Sequence, residues 1–242
     1  MISNRGSGTR IDEIADGIYR ISTPSTKVPG GFTFNQYLLM DDDPLLFHTG
    51  LRQLFPLVHE AINAVMPAER LRYISFSHFE ADECGALNQF LAIAPAAVPL
   101  CGTVAALVSI SDVADREPRA INDGEVISLG RHRVRWFDAP HLPHAWECGF
   151  LAEASTRTLL CGDLFTQPGA EHPPLTEADI LEPSEAFRRQ MDYYSHTKNA
   201  GGMIERLAAT EPTTLACMHG SAWRGDGAKL LRELGRRLER SA

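Results

Sequence analysis

Cysteine is scarce and scattered: five residues, at 84, 101, 148, 161 and 217, with no C-x-x-C pair among them. An odd set without that spacing excludes a disulfide framework and a structural zinc knuckle. It leaves reduced thiols, the ordinary condition of a cytoplasmic protein. Long apolar runs are missing too. None approaches the roughly 18 residues of a membrane span, and the opening MISNRGSGTRIDEIAD lacks the apolar stretch of a secretory signal. Positive charge is also short. Lys plus Arg number 23 against 31 Asp plus Glu, a net charge of −8, and no basic cluster stands out. A nucleic-acid surface is therefore not expected, nor is a membrane partner.

What is present is the mixture of a globular protein, with 44% hydrophobic and 22% charged residues over 242 positions. That length suits one domain spanning residues 1–242, with the Gly/Ser-rich residues 1–10 frayed. Short β-rich runs come first: GIYRIST (17–23), FTFNQYLLM (32–40) and PLLFHT (44–49), parted by turn signals PGG and DDDP. FPLVHEAINAVM (55–66) has helical periodicity, LRYISFS (71–77) reads as a buried strand, and ECGALNQFLAIA (83–94) returns to helix. VPLCG (98–102) and a short helix TVAALVSI follow. Four strand-like segments then run from EVISLG (125–130) to RTLLCGD (157–163), and LACMH (215–219) is a late strand. It lies between a helical stretch around 184–208 and a final basic helix, 227–240. Two β-runs, each with helical segments, predict two sheets with helices outside.

The stretch SHFEADECG (77–85) sets His78, Glu80 and Asp82 on alternate positions where a strand should end, with Glu83 beside them. Three other strand ends carry similar residues. PHLPHAWE offers His141 and His144, LLCGDLF offers Asp163, and LACMHGSAW offers His219. Each alone reads as a hydrogen-bonded structural histidine, a turn residue or a helix cap. Together, four placements of one kind predict a metal site. His59, His132 and His172 read as surface positions and His196 as a helical one, without roles. Phe79 and Trp146 flank the motif residues and read as core aromatics or as walls of the site. Cys84 and Cys148 read as buried small hydrophobes.

In this order, NQYLLM…HTG, SHFEADECG, HLPHAW, CGDLF and CMHG, the chain resembles the metallo-β-lactamase superfamily. Glu80 stands where hydrolytic members carry a second His, which makes it similar to the diiron branch: flavodiiron proteins and related stand-alone oxygen-binding diiron proteins. The resemblance implies an α/β fold, an αβ/βα four-layer sandwich of two mixed β-sheets with outer helices. It also implies that His78, Glu80 and a later His hold one iron, that Asp82 and His219 hold another, and that Asp163 bridges them. The later His is preferably His144, whose spacing to Asp163 matches flavodiiron proteins; His141 sits in the H-x-P context of hydrolases. Two positions depart from the family. Glu83 replaces a usual His, and its role is open between a ligand, a hydrogen bond to metal-bound water and a helix cap. His48 replaces the Asp of an Asp-Thr-Gly segment and is expected to act as a donor behind the ligands.

Three imidazoles and three carboxylates suit iron or manganese better than zinc. The expected function is a cytoplasmic non-haem diiron protein that binds, and can reduce, dioxygen, peroxide or NO, including as a redox sensor. No flavin (FMN) site is expected within the chain, so an external electron-donor protein would be required; a homodimer accords with the family. The alternative is a dinuclear zinc or manganese hydrolase of a thioester, lactone or phosphoester, with a degenerate binding scaffold third.

Overall fold

The structure, a computed structural model, describes residues 1–241. Eight strands build the first sheet in chain order: β1 (Ile2–Asn4), β2 (Thr9–Ala15), β3 (Ile18–Ser25), β4 (Phe32–Leu39), β5 (Leu45–Phe47), β6 (Tyr73–Ser75), β7 (Val98–Gly102) and β8 (Arg119–Ile121). The first five pair antiparallel and the last four parallel. The second sheet holds β9 (Val126–Ser128), β10 (Arg133–Asp138), β11 (Gly149–Glu153), β12 (Thr158–Leu160), β13 (Leu175–Thr176), β14 (Thr214–Ala216) and β15 (Ala222–Arg224). Their spatial order is β13-β15-β14-β12-β11-β10-β9, antiparallel except for the β12–β14 and β13–β15 pairs. Helices α1 (Phe55–Asn63), α2 (Ala81–Cys84), α3 (Leu87–Ile93), α4 (Thr103–Ala105) and α5 (Ser111–Val113) belong to the first half. Helices α6 (Leu181–Met191), α7 (Ala200–Ala208) and α8 (Gly227–Ser241) belong to the second.

Alternation along the strands makes the layers. Leu38 and Leu46 pack outward on Ile62 of α1 and Phe90 of α3. Tyr37, Leu39, Leu45 and Phe47, one residue away, turn inward to meet Val134, Trp136, Leu151 and Leu160 of the opposite sheet. From that sheet Phe137, Phe150 and Leu159 point outward to Leu207 of α7 and Leu231 of α8. Because successive strand side chains face opposite ways, one run of apolar residues serves two layers. The expected four-layer sandwich of two mixed sheets is the observed one.

Three expectations are corrected. Residues 1–10 are not frayed: β1 pairs with β2, and the Met1 amino group donates to Ile11 and Asp12. The helical stretch around 184–208 is two helices broken over 192–199, where Asp192 closes α6 with φ of 49°. Strands β1, β2, β8, β13 and β15 were not anticipated: all but β2 have only two or three residues, too few to show a period, and β2 begins inside the stretch read as frayed. All five cysteines are free and buried, and burial pushes the Cys101 thiol up to about 12. No helix among the described residues is long and apolar enough to cross a membrane.

Two tests follow from the packing. A Cβ on Gly149 would enter the buried Trp136 ring; Gly149→Ala is expected to cost about 1–3 kcal/mol in urea unfolding through overpacking. Glu153 is buried at the end of β11. Its carboxylate accepts from Ser155 N–H at 2.8 Å, Thr156 N–H at 2.7 Å and the Thr156 hydroxyl at 2.6 Å. Burial would raise its pKa, but these donors prevail and hold it below the ordinary carboxylate value. A depressed pKa stabilises above the unfolded value of about 4.3 and is lost as pH falls through the folded one. Glu153→Gln should therefore cost about 1–3 kcal/mol at pH 7, with the gap to wild type closing below about pH 4.

Candidate metal centre

The candidate ligands sit where strands from both sheets run out. After β6 the chain leaves the first sheet through Ser77 and His78, passes Glu80 in extended conformation, and enters α2 with Asp82 and Glu83 in its first turn. The second sheet contributes His144 from the β10–β11 loop, Asp163 after β12 and His219 after β14. Since β12 and β14 are parallel neighbours, Asp163 and His219 emerge at the same end. Gly162 precedes Asp163 with φ of 47°, and a Cβ there would meet Ser77 at 2.9 Å. The absence of a side chain lets the two loops touch.

The His219 loop is clamped from across the sandwich. Asn35 Nδ2 donates to the carbonyls of Cys217 and Gly220 at 2.9 and 2.8 Å, and Tyr37 Oη donates to Cys217 at 2.6 Å. Arg20, itself buried, donates to the Gly220 carbonyl at 2.6 Å. Gly220 N–H in turn donates to the Thr33 hydroxyl at 2.7 Å. These polar residues on β3 and β4 were not singled out from sequence. The available signal was their placement inside otherwise apolar strand runs.

Two sets of ligand-type atoms result. In one, His78, Glu80, His144 and Asp163 each bring an atom within 4.8 Å of the others; in the second, Asp82, Glu83 and His219 do so. Asp163 faces both. Its Oδ2 lies 3.7 Å from His78 Nε2 and 3.6 Å from His144 Nε2, while its Oδ1 lies 3.3 Å from His219 Nε2. Glu80 approaches His78 at 3.6 Å and His144 at 3.4 Å, and Asp82 approaches His219 at 3.6 Å.

Ring orientation is fixed from behind. His144 Nδ1 donates to the Tyr193 carbonyl at 3.1 Å and His219 Nδ1 to the Thr33 carbonyl at 2.7 Å, so both Nε2 lone pairs point into the site. His78 Nδ1 meets Ser77 Oγ at 2.9 Å. His78 and His144 then bring their Nε2 atoms 2.9 Å apart. Two imidazole nitrogens about 2.1 Å from one ion and at right angles would sit about 3 Å apart. Asp163 Oδ1 and both Glu83 oxygens are buried without a hydrogen-bond donor. Converging lone pairs and unpartnered buried carboxylates fit a pair of cations.

Electrostatics agree with the geometry. Burial raises the Asp163 pKa, but His219, His78 and His144 outweigh it and hold the carboxyl well below its usual range. The same charges act the other way on the rings: burial lowers the His144 and His219 pKa values, but the Glu80 and Asp163 carboxylates outweigh it and raise them. The His144 and His78 imidazoles facing Glu80 lower its carboxyl to about 2. On the sheet side the centre is walled by rings: Phe32 stacks 4.2 Å from His219, with Phe34 5.7 Å away edge-on. It opens where the Glu80 side chain is 51% exposed.

The structure therefore draws His78, Glu80, Asp82, His144, Asp163 and His219 together. It leaves His141 outside: that residue has φ of 64°, is exposed, and does not belong to either set. His48, fully buried with φ of 66°, stands one step back. Its Nε2 lies 3.3 Å from the Ser77 backbone nitrogen and 3.1 Å from Ser77 Oγ, and burial lowers its pKa to about 3. Phe79 and Trp146 are not core aromatics; they are 41% and 57% exposed. His132 is buried against Glu153 at 3.3 Å rather than on the surface. His196 lies in the 192–199 break rather than on a helix. Glu83 accepts no backbone N–H, so it does not cap α2. The Tyr193 carbonyl behind His144 was missed, because a backbone acceptor leaves no mark in sequence.

Several known proteins are similar to this chain. The chain is 24% identical over 245 residues to a nitric oxide reductase of Moorella thermoacetica, covering 93% of this chain and 61% of that protein. It is 25% identical over 211 residues to the rubredoxin-oxygen oxidoreductase of Megalodesulfovibrio gigas, covering 83% and 51%. Among solved structures, rubredoxin oxygen:oxidoreductase from Desulfovibrio gigas superposes with a TM-score of 0.80 at 20% identity, covering 94% of this chain and 62% of that one. The flavodiiron protein from Giardia intestinalis gives 0.77 at 18%, covering 95% and 59%. At such identities the superpositions show the shared fold. The chain spans less than two thirds of the length of these relatives. Residues 32–220, most of the chain, match the family described as "ODP family beta lactamase", and the chain belongs to that family.

Proposed function

We propose that this chain is a non-haem diiron protein that binds dioxygen or nitric oxide and reduces it with electrons from a separate donor, protein or domain. The observation that carries the reading is Asp163, whose two oxygens face His78 and His144 on one side and His219 on the other. In this assignment His78, Glu80, His144 and Asp163 hold the first iron, while Asp82, His219 and Asp163 hold the second. Mixed imidazole and carboxylate donors suit iron, and the names of the relatives, a nitric oxide reductase and an oxygen oxidoreductase, support a redox rather than a hydrolytic role. The hydrolytic alternative loses its local support, since His141 of the H-x-P segment lies away from the cluster.

Two bound irons would supply electrons to a small diatomic ligand; the protein's residues prepare the place where this happens. Carbonyls of Thr33 and Tyr193 keep His219 and His144 in the tautomer whose Nε2 can donate a lone pair. Tyr193 Oη donates to the Asp163 backbone carbonyl at 3.2 Å, joining the loop behind His144 to the bridging residue. Phe32 and Phe34 keep water from the sheet side, so charge interactions within the centre are weakly screened. The exposed edge at Glu80, with exposed Phe79 beside it in the chain and exposed Trp146 two residues after His144, leaves a path for a small ligand.

Metal analysis of protein expressed in iron-supplemented medium and handled without air tests the assignment. Wild type should carry about two irons per chain and change its visible spectrum on exposure to air. Asp163→Ala should lose both ions, because one carboxylate serves both. His219→Ala should retain about one. Full iron content in either variant, or two zinc ions and a spectrum indifferent to air in wild type, would sink the proposal.

A further inference from the structure

One residue of the centre is unaccounted for by six ligands. Glu83 is fully buried, and neither carboxylate oxygen has a hydrogen-bond donor. Its surroundings are carboxylates and imidazoles: it groups with Asp82 and His219 within 4.8 Å, and its Oε2 lies 4.0 Å from His78 Nε2. The side chain cannot easily be withdrawn to water, because its backbone is pinned. Thr49 N–H donates to the Glu83 carbonyl at 2.6 Å and the Thr49 hydroxyl does so at 3.3 Å. That hydroxyl accepts from Ala86 N–H at 3.1 Å, so Thr49 holds the chain where α2 ends and α3 begins.

A buried acid in this position must be neutralised by a proton or paired with a cation. Glu80, Asp82, Glu83 and Asp163, when ionised, together carry four negative charges, which would balance two divalent ions.

We propose that Glu83 is a ligand of the second ion, so that this ion is held by three carboxylates and one imidazole. The proposal rests on the two-ion reading above and deepens it. The two positions are then unlike. The first has two imidazoles and two carboxylates, whereas the second is oxygen-rich and favours manganese or ferrous iron over zinc. A histidine at position 83 would give the second position two imidazoles and erase much of that difference.

The test compares wild type with E83Q and E83H, all confirmed folded by circular dichroism. Ions per chain are counted after anaerobic iron loading and dialysis, and again after competition between equimolar manganese and zinc. E83Q keeps the size of the side chain but removes its charge. It should retain the first ion and hold the second at least about tenfold more weakly. E83H should keep two ions and shift the second position at least about tenfold toward zinc. Retention of both ions by E83Q at wild-type strength, or an unchanged manganese-to-zinc preference in E83H, overturns the role of Glu83 and leaves the six-residue centre standing. Wild type that takes up no ions overturns both.

Discussion

A buried carboxylate, Asp163, sets the terms for everything around it. Charge removed from water must be met by opposite charge or by hydrogen bonds, at a cost of several kcal/mol if it is not. Three imidazoles surround Asp163, and none of them belongs to its own strand. The parallel pairing of β12 with β14 brings His219 to its side, and the near contact of Gly162 with Ser77 brings His78 from the other sheet. The sandwich is thus closed at this end by the groups that answer one acid, with hydrophobic burial supplying most of the driving force elsewhere.

The histidines are held by carbonyl oxygens rather than by side chains. Thr33 on β4 and Tyr193 in the break after α6 each take an Nδ1 proton. Backbone acceptors are rigid, and neither ring can turn without losing its bond. A site prepared in this way needs little rearrangement when an ion or ligand arrives, which is the main contribution a protein makes to metal chemistry.

Strand ends rich in ligand residues were legible because an apolar run followed by His, Glu or Asp is a local signal. His78, Glu80, Asp82, Asp163 and His219 were read from it, as was the layering of two sheets from two β-runs. What separated His144 from His141 was not local. The two lie three residues apart in one irregular loop with left-handed backbone at His141 and Ala145, and only the folded loop brings His144 to the other ligand-type residues. Loops of that kind have no period to read. His132 was misplaced for a related reason, since its burial depends on contacts with Glu153 and on the close backbone of Gly17, distant in sequence. Glu83 was left open between three roles because a helix-start acid and a buried acid look alike until the fold shows which way the turn faces.

The clamp on the His219 loop has a consequence for inheritance. Arg20, Asn35 and Tyr37 grip carbonyl oxygens, which every residue type possesses, so their hold does not depend on the side chain at 217, whereas 220 stays a glycine because a Cβ there would meet Gln167 at 2.5 Å. The burden passes to the opposite sheet. Substitutions at 20, 35 or 37 would leave every candidate ligand in the chain and still let His219 drift. Variation there would be recorded as poor metal retention in proteins whose ligand sequence is intact.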